Sequence, residues 1–172
     1  GDGVGPYDPA DPAPRGVDRL IRSLETAGLG PNSNVYAELG GTWWFLMGNP
    51  TNAAHVLGKL LKHVGHDRVV WGTDSIWFGT PQDQIQALRT FEISPEFQER
   101  FGYPALTPEL KAKIFGLTSA NLYGIEPKPG ACTVDNQELS QIRMSFGPTP
   151  TYGPTTAAAA AARTADGMIM SM

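Results

Sequence analysis

The sequence predicts an α/β fold in which a parallel sheet is flanked by helices. One observation is the run Val-Val-Trp at residues 69–71, which has the composition expected of a strand covered on both faces. The other is the order of segments, because a strand-like segment at residues 34–39 is followed by a helical one, by this run and by further helical segments. Such alternation is typical of parallel sheets. With 172 residues, of which 41% are hydrophobic and 17% charged, the chain can bury a core as one domain.

The chain begins with a segment that predicts no regular structure. Its first residues are rich in Gly, Pro and Asp and show no periodicity, so residues 1–16 are interpreted as a loop or an extended arm. A helical repeat of apolar residues follows and predicts an amphipathic outer helix that ends near Gly28 and Gly30. The repeat consists of Val17, Leu20, Ile21 and Leu24.

Residues 34–39 predict the first strand, and residues 40–44 predict a flexible turn after it. Side chains alternate along a strand, so Glu38 lies on the face opposite Ala37. If the Glu38 face looks inward, the carboxylate can contact a metal, a substrate or a metal ligand. If it looks outward, Glu38 pairs with a helix residue. Trp43 in the turn is a candidate wall of a substrate pocket, with packing as the alternative.

The next helix has strong local signals. Asn49 predicts an N-cap with Pro50 at the first helical position. The buried stripe of this helix is Ala53, Leu57, Leu60, Leu61 and Val64. The opposite side carries His55, Lys59 and Lys62. We expect this side to be a solvated face without metal ligands, while the helix dipole explains His63 and His66 at the helix end.

Three pairs of a hydroxyl residue and a proline predict the starts of three further helices, since Ser or Thr caps a helix and proline suits its first position. The pairs are Thr80 and Pro81, Ser94 and Pro95, and Thr107 and Pro108. Gly102 and Gly116 are expected to end the second and third of these helices. A short last helix is predicted to start at Thr118 or Ser119 and to end at Gly124.

Beyond Ile125 the composition shifts to Pro, Gly and Ala, and residues 126–172 predict a largely irregular, low-complexity tail. Within this tail Asp135 and Glu138 have the spacing of a capping box, which predicts one short amphipathic helix. The alanine run at residues 157–162 is too short to form a stable helix in water by itself.

The strand at residues 69–71 leads to Asp74, the strongest candidate for chemistry in the chain. Asp74 shares a strand face with Val70 and Gly72, and Gly72 leaves room beside the carboxylate. In parallel α/β folds the groups that do chemistry lie at the carboxyl ends of strands. The structural alternative for Asp74 is a capping or turn residue.

The loop after Asp74 carries further candidates. Ser75 and Trp77 lie between Asp74 and the next helix, and binding residues concentrate on loops that a rigid scaffold holds. An exposed indole at Trp77 can stack on an aromatic substrate. Phe78, in the same loop, suits packing at least as well as binding.

The segments NVYAELGG and DRVVWGTDSIWFGTP, followed by helices that close on LTSANLYGI, resemble the C-terminal part of the amidohydrolase-related (amidohydrolase family 2) enzymes. The resemblance covers roughly residues 16–125. It implies a (β/α)8 TIM barrel whose last strand ends in a metal-site Asp, matched here by Gly72-Thr73-Asp74. The C-terminal part of such a barrel would occupy residues 17–125. A complete barrel takes about 250 residues, so we expect that an N-terminal half is missing.

The resemblance also implies a metal-dependent enzyme that hydrolyses or non-oxidatively decarboxylates a small organic substrate. Asp74 would bind a divalent metal, with zinc favoured over manganese or magnesium, and would transfer a proton. Glu38, Trp43, Ser75 and Trp77 would contact the substrate. The other ligands of the family are mostly histidines on strands, and none of the three histidines here is predicted on one. We therefore expect an incomplete metal site and an inactive fragment, with a non-catalytic assembly piece as the alternative.

Charge and cysteine content limit the expected partners. The net charge is −4 and the basic residues are scattered, so nucleic acid is not expected as a partner. No apolar run approaches the roughly 20 residues of a membrane span, so no membrane partner is expected. The single Cys132 cannot form an internal disulfide, which favours a reducing, cytoplasmic compartment. The resembled family often forms dimers, and a homodimer is expected on that ground.

Overall fold

The computed structural model describes residues 3–75, 77–128 and 136–145. Helices make up most of this part of the chain, and two short strands lie among them. In chain order the elements are α1 (Gly16–Thr26), β1 (Ala37–Glu38), α2 (Gly40–Leu46), α3 (Pro50–Lys59) with a π-helical turn at Leu60–Val64, β2 (Val69–Val70), α4 (Gln82–Thr90), α5 (Pro95–Phe101), α6 (Pro108–Ala112) with a π-helical turn at Lys113–Leu117, α7 (Thr118–Leu122) and α8 (Asn136–Ser145).

The two strands pair in parallel, as the sequence predicts. Ala37 lies opposite Val69, and Glu38 lies opposite Val70. The predicted strands at residues 34–39 and 69–71 are longer than the paired segments, which contain two residues each. The described residues thus form a partial α/β arrangement of one parallel strand pair and its helices.

The hydrophobic core is centred on α3 and β2. Val69 is fully buried, and residues 53–61 of α3 and its π-helical turn are all buried. Trp43, Leu88 and Ile114 bring α2, α4 and the turn after α6 against the same core. Helix α3 is therefore enclosed on nearly all sides, unlike the one-sided amphipathic helix that its sequence pattern predicts.

The prediction of a solvated face on α3 is wrong for His55 and Lys59, which are 6% and 0% exposed. Lys62 is exposed as predicted. The Nδ1 atom of His55 is hydrogen-bonded to the hydroxyl of Tyr103 at 3.0 Å, and the imidazole also packs against Phe97. Burial, with a smaller effect from the nearby Lys59 ammonium, lowers the pKa of His55. His55 is thus a core residue that α5 and the segment after it cover.

Lys59 joins the N-terminal segment to α3. Its Nζ donates hydrogen bonds to Asp18 Oδ1 at 2.5 Å, to the carbonyl of Gly3 at 2.5 Å and to the carbonyl of Gly5 at 2.7 Å. Burial lowers the pKa of Lys59, and the Asp18 carboxylate opposes that shift. Residues 3–15 contain no helix or strand, and this predicted arm is held by the buried ammonium group together with hydrogen bonds from Arg22 to the arm and from Tyr7 to Glu25.

Three helix starts that the sequence predicts are confirmed. The side-chain oxygens of Asn49, Ser94 and Thr107 accept hydrogen bonds from the backbone N–H three residues later, at 3.1, 3.3 and 3.2 Å. Gly102 adopts the left-handed conformation that ends α5. These signals lie within one helical turn of the residue that they cap, which is why local sequence is sufficient to find them.

Gly116 interrupts the helix as predicted, since its backbone is non-helical and two helices meet there in a kink, with helical turns resuming up to Leu122. Two other local predictions differ from the structure. Helix α4 begins at Gln82, and Pro81 takes the cap position predicted for Thr80. The predicted flexible turn at residues 40–44 is instead part of α2.

In the tail, α8 lies where the capping-box spacing predicts a short helix. Asp135, Cys132 and the alanine run at residues 157–162 lie outside the described residues. Among the residues that are described, no helix combines the length and the apolar character that crossing a membrane requires.

Candidate functional site

A cavity of about 930 Å³ lies beside the carboxyl ends of the two strands, between α1, α2, α3 and the loop after β2. Its described lining consists of Val4, Gly16, Val17, Leu20, Tyr36, Ala37, Glu38, Gly41, Thr42, Phe45, Leu46, Asn52, Val56, Leu60, Asp74 and Phe78. Glu38 and Asp74 are the charged members of this lining. The described wall of the cavity therefore combines apolar side chains with the polar groups of Tyr36, Thr42 and Asn52 and with two carboxylates.

The carboxylates of Glu38 and Asp74 converge at the first turn of α2. Glu38 Oε1 accepts a hydrogen bond from the Gly40 N–H at 2.8 Å, and Asp74 Oδ2 accepts one from the Gly41 N–H at 2.9 Å. A methyl group built on Gly40 would lie 2.6 Å from Glu38 Oε2 and 3.2 Å from Asp74 Oδ2. The strand ends thus bring the two predicted acidic residues together on successive backbone amides.

These contacts explain why α2 forms where a flexible turn is predicted. The first N–H groups of a helix have no partner within the helix, and negative charge at this end is favourable. Here Glu38, two residues before Gly40, and Asp74, far away in sequence, supply the acceptors. The cap is partly non-local, so a short window of sequence does not reveal it.

Asp74 has an uncommon backbone conformation. Its φ is 48°, in the left-handed region that Asp and Asn adopt more readily than other residues with side chains. The Asp74 carbonyl accepts hydrogen bonds from the N–H groups of Trp77 at 2.9 Å and Phe78 at 3.3 Å. Asp74 therefore forms a turn and also caps α2, so its place at the cavity and its structural role coexist.

Gly72 has a different role from the one predicted, because Glu38 occupies the space beside it. A methyl group built on Gly72 would lie 1.4 Å from Glu38 Oε1, and Asp74 is absent from its nearest atoms. The missing side chain at Gly72 thus allows the Glu38 carboxylate to reach the Gly40 amide.

A Gly72→Ala substitution should displace the Glu38 carboxylate and leave the fold in place. The clash involves the end of a flexible, exposed side chain, so the expected loss is about 1 kcal/mol, the value of one hydrogen bond. The Gly40 amide signal in a ¹⁵N–¹H spectrum should shift strongly. Gly30→Ala is the control, because no atom lies within 4 Å of a methyl group at that position. An unchanged Gly40 signal in Gly72→Ala would contradict the assigned contact.

Three other predicted site residues lie off the described cavity wall. Trp43 is 2% exposed, its Nε1 donates to the carbonyl of Gln84 at 3.0 Å, and its ring packs on Phe91. This placement corrects the prediction that Trp43 walls the pocket and matches the packing alternative. Ser75 is half-buried and Trp77 is 75% exposed. Substrate contacts of Ser75 and Trp77 stay predictions.

Two aromatic residues complete the cavity wall: Phe78, which the sequence suits to packing at least as well as to binding, and Phe45, which no sequence pattern indicated. Phe78 stacks on Trp44 with ring centroids 4.7 Å apart, and Phe45 meets Phe78 edge to face at 5.6 Å. Phe45 and Phe78 both line the cavity. Gly41 and Phe45 are four residues apart and share a helix face, a relation that becomes visible only once α2 is recognised as a helix.

The described residues supply part of a metal site at most. Within the ranges 3–75, 77–128 and 136–145, no group of three or more His, Cys, Asp or Glu residues could hold a metal ion. His55, His63 and His66 are all described, and none of them lines the cavity. Carboxylate oxygens suit divalent cations, but a catalytic zinc site takes three protein ligands. Glu38 and Asp74 therefore fit a metal only as two members of a larger ligand set.

Comparison with known families matches residues 29–125 to the sequence model described as amidohydrolase. The match spans more than half of the 172 residues and contains both strands and both carboxylates. No curated protein and no solved structure gives a significant match. The matched segment contains the paired strand ends that carry Glu38 and Asp74, and the chain belongs to the hydrolase-like amidohydrolase family.

Proposed function

We propose that the chain is the C-terminal part of a metal-dependent, (β/α)8 amidohydrolase-like enzyme, with Asp74 as a metal ligand and proton-transfer residue. The observation that carries this proposal is the convergence of Asp74 and Glu38 at the carboxyl ends of two parallel strands, beside a cavity. In (β/α)8 enzymes the catalytic residues come from the same ends of several strands. The family match adds support, since amidohydrolases generally bind divalent metals.

A divalent metal, when bound, would stabilise negative charge and activate water. Asp74 and Glu38 would hold it from this chain, and further ligands would come from elsewhere in the protein. The Gly41 amide fixes Asp74 Oδ2, so we assign proton transfer to the second oxygen of this carboxylate. A carboxylate in this position suits either hydrolysis or non-oxidative decarboxylation.

The cavity volume of about 930 Å³ is in the range of pockets that bind small molecules. Phe45 and Phe78 supply an apolar part of the cavity wall, and Phe78 lies close to Asp74 around Gly41. We therefore propose a small organic substrate with one polar reacting group, whose apolar part rests on these rings. Trp77, exposed in the loop that carries Phe78, would contact the part of the substrate outside the cavity.

The Asp74→Asn substitution tests the proposal in protein expressed from the complete coding sequence. Asn tolerates the left-handed conformation and retains an acceptor for the Gly41 amide, so the fold should persist while the charge is lost. We expect turnover of a small amide or carboxylic acid substrate to fall by about 100-fold. Metal content, measured by inductively coupled plasma mass spectrometry, should fall with it.

The matched control is Asp67→Asn, which removes an exposed carboxylate far from the cavity lining. It should leave both turnover and metal content unchanged. Equal turnover in Asp74→Asn and the unsubstituted protein would overturn the role of Asp74.

A second candidate function is a non-catalytic assembly piece. Exposed apolar side chains around α7 favour it, since such patches are typical of interaction surfaces. They are Leu117, Leu122, Tyr123 and Ile125. A complete protein that carries no metal and turns over no substrate, with or without Asp74, would favour this function over the enzymatic one.

A further inference from the structure

Gln84 in α4 is a fully buried polar residue that joins two parts of the site. It is 0% exposed, and its Nε2 donates a hydrogen bond to the carbonyl of Thr73 at 2.9 Å. Its own backbone carbonyl accepts the hydrogen bond from Trp43 Nε1 at 3.0 Å. One residue of α4 is thus hydrogen-bonded both to the loop after β2 and to α2.

These contacts complete a closed path, or ring, of hydrogen bonds and backbone segments that includes Asp74. Thr73 immediately precedes Asp74, and Trp43 lies in the helix whose Gly41 N–H holds Asp74 Oδ2. From Asp74 the ring runs through Gly41 and Trp43 to Gln84, and from Gln84 through Thr73 back to Asp74. The backbone before the carboxylate and the partner of the carboxylate are therefore both tied to Gln84.

The hydrogen bond at Thr73 acts directly on the conformation of Asp74. The Thr73 carbonyl and the Asp74 nitrogen belong to one planar peptide group, so holding the oxygen fixes the plane from which the Asp74 side chain projects. Asp74 has a φ of 48°, which is intrinsically less favourable than the right-handed region. A contact that fixes this plane therefore favours the conformation that directs Asp74 to Gly41.

The side-chain amide of Gln84 is oriented by its contact with Thr73, because only its nitrogen has a hydrogen-bond partner among the described residues. Oε1 is buried and has no hydrogen-bond partner among the described residues, and an unsatisfied buried acceptor is unfavourable. Rotating the amide by half a turn would place Oε1 against the Thr73 carbonyl, where two acceptors repel. An apolar side chain of similar length would avoid the unsatisfied oxygen but would lose the bond to Thr73.

We propose that Gln84 is a positioning residue whose side-chain amide sets the Asp74 carboxylate through the Thr73 carbonyl. Its importance for catalysis rests on the proposed function of Asp74, whereas the positioning itself does not. Gln84 does not line the described cavity, and its side-chain amide donates to the Thr73 carbonyl instead of a site carboxylate, so it acts through its neighbours.

The test follows the backbone amide protons of Gly40 and Gly41 by ¹⁵N–¹H spectroscopy of the full chain at one fixed pH. The Gly41 proton reports its hydrogen bond to Asp74, and the Gly40 proton reports its hydrogen bond to Glu38. In Gln84→Met the Gly41 proton signal should move upfield, as expected when its hydrogen bond is lost, and the Gly40 signal should keep its position. The matched control is Gln82→Met, at an exposed position of the same helix, which should move neither signal.

Two outcomes would overturn the positioning role. One is a folded Gln84→Met chain in which the Gly41 amide proton signal keeps its position. The other is an equal shift of the Gly40 and Gly41 signals, which would mean general loosening. If Gln84→Met does not fold, hydrogen exchange in the unsubstituted chain tests the contact between Gln84 and Thr73. The side-chain amide protons of Gln84 should then exchange with solvent far more slowly than those of Gln82. Equal exchange would reject the proposal, and a failure of Asp74→Asn to alter turnover would affect only the proposed function.

Discussion

Asp18→Asn should lower the free energy of unfolding by about 3–5 kcal/mol, the cost of removing one partner from a buried ion pair. Lys59 is 0% exposed, and all three protons of its ammonium group are used by Asp18, Gly3 and Gly5. Once the carboxylate charge is gone, only neutral acceptors face a buried cation. The loss should appear as a lower midpoint in urea denaturation.

The control for this experiment is Asp67→Asn, which breaks the ion pair with Lys113. Their side chains are 51% and 43% exposed, and exposed pairs contribute about 0–1 kcal/mol. Combining Asp18→Asn with Lys59→Met should recover much of the lost stability, because the unpaired buried charge is then absent. If Asp18→Asn costs no more than Asp67→Asn, the charge at Asp18 does not stabilise the fold.

Local sequence signals account for much of the fold. The caps at Asn49, Ser94 and Thr107 involve groups three residues apart, so a short window contains both partners. The parallel pairing of the two strands also follows from their apolar composition and from the helix between them. In each case the sequence contains the whole interaction or a strong compositional consequence of it.

Predictions failed where the partner lies far away in the chain. Helix α2 is capped by Asp74, which is 33 residues from Gly41, and no pattern near residue 41 indicates it. The helical repeat predicts a solvated face at Lys59 and His55 because it contains no information about distant partners. The partner of Lys59 is Asp18, 41 residues away, and the partner of His55 is Tyr103, 48 residues away. A polar residue on a helix is thus buried or exposed according to contacts that periodicity does not encode.

In the candidate site, too, some features follow from the sequence and others depend on contacts that the sequence does not indicate. The strand-end rule led to Asp74 and left the face of Glu38 open, and the structure places both residues beside one cavity, because parallel strands present their carboxyl ends at the same edge. Trp43 was selected for its place in a supposed turn, and the helix there directs it into the core instead. Phe45 was missed for the same reason. One unrecognised helix therefore accounts for both errors.

Gly58→Ala should destabilise the chain by about 3 kcal/mol, at the upper end of the usual cost of overpacking. A methyl group on Gly58 would lie 2.4 Å from both Cγ and Cδ2 of Tyr103 and 2.9 Å from its Cβ. These atoms belong to the base of a buried side chain whose hydroxyl is hydrogen-bonded to His55, so the ring is not free to rotate away from the methyl group. Helix propensity acts in the opposite direction, since Ala is better than Gly by about 1 kcal/mol inside a helix.

The two effects can be separated by repeating Gly58→Ala in a Tyr103→Gly background. Without the ring and the Cβ of residue 103 the close contacts are removed, and the methyl group should then stabilise α3 by up to about 1 kcal/mol. The effect of the same substitution on the free energy of unfolding should therefore change sign between the two backgrounds in urea denaturation, a coupling typical of residues in contact. A loss of equal size in both backgrounds would mean that Gly58 is required by its own backbone and not by Tyr103. The expected reversal would establish that the close approach of α3 to the segment after α5 depends on the absence of a side chain at this position.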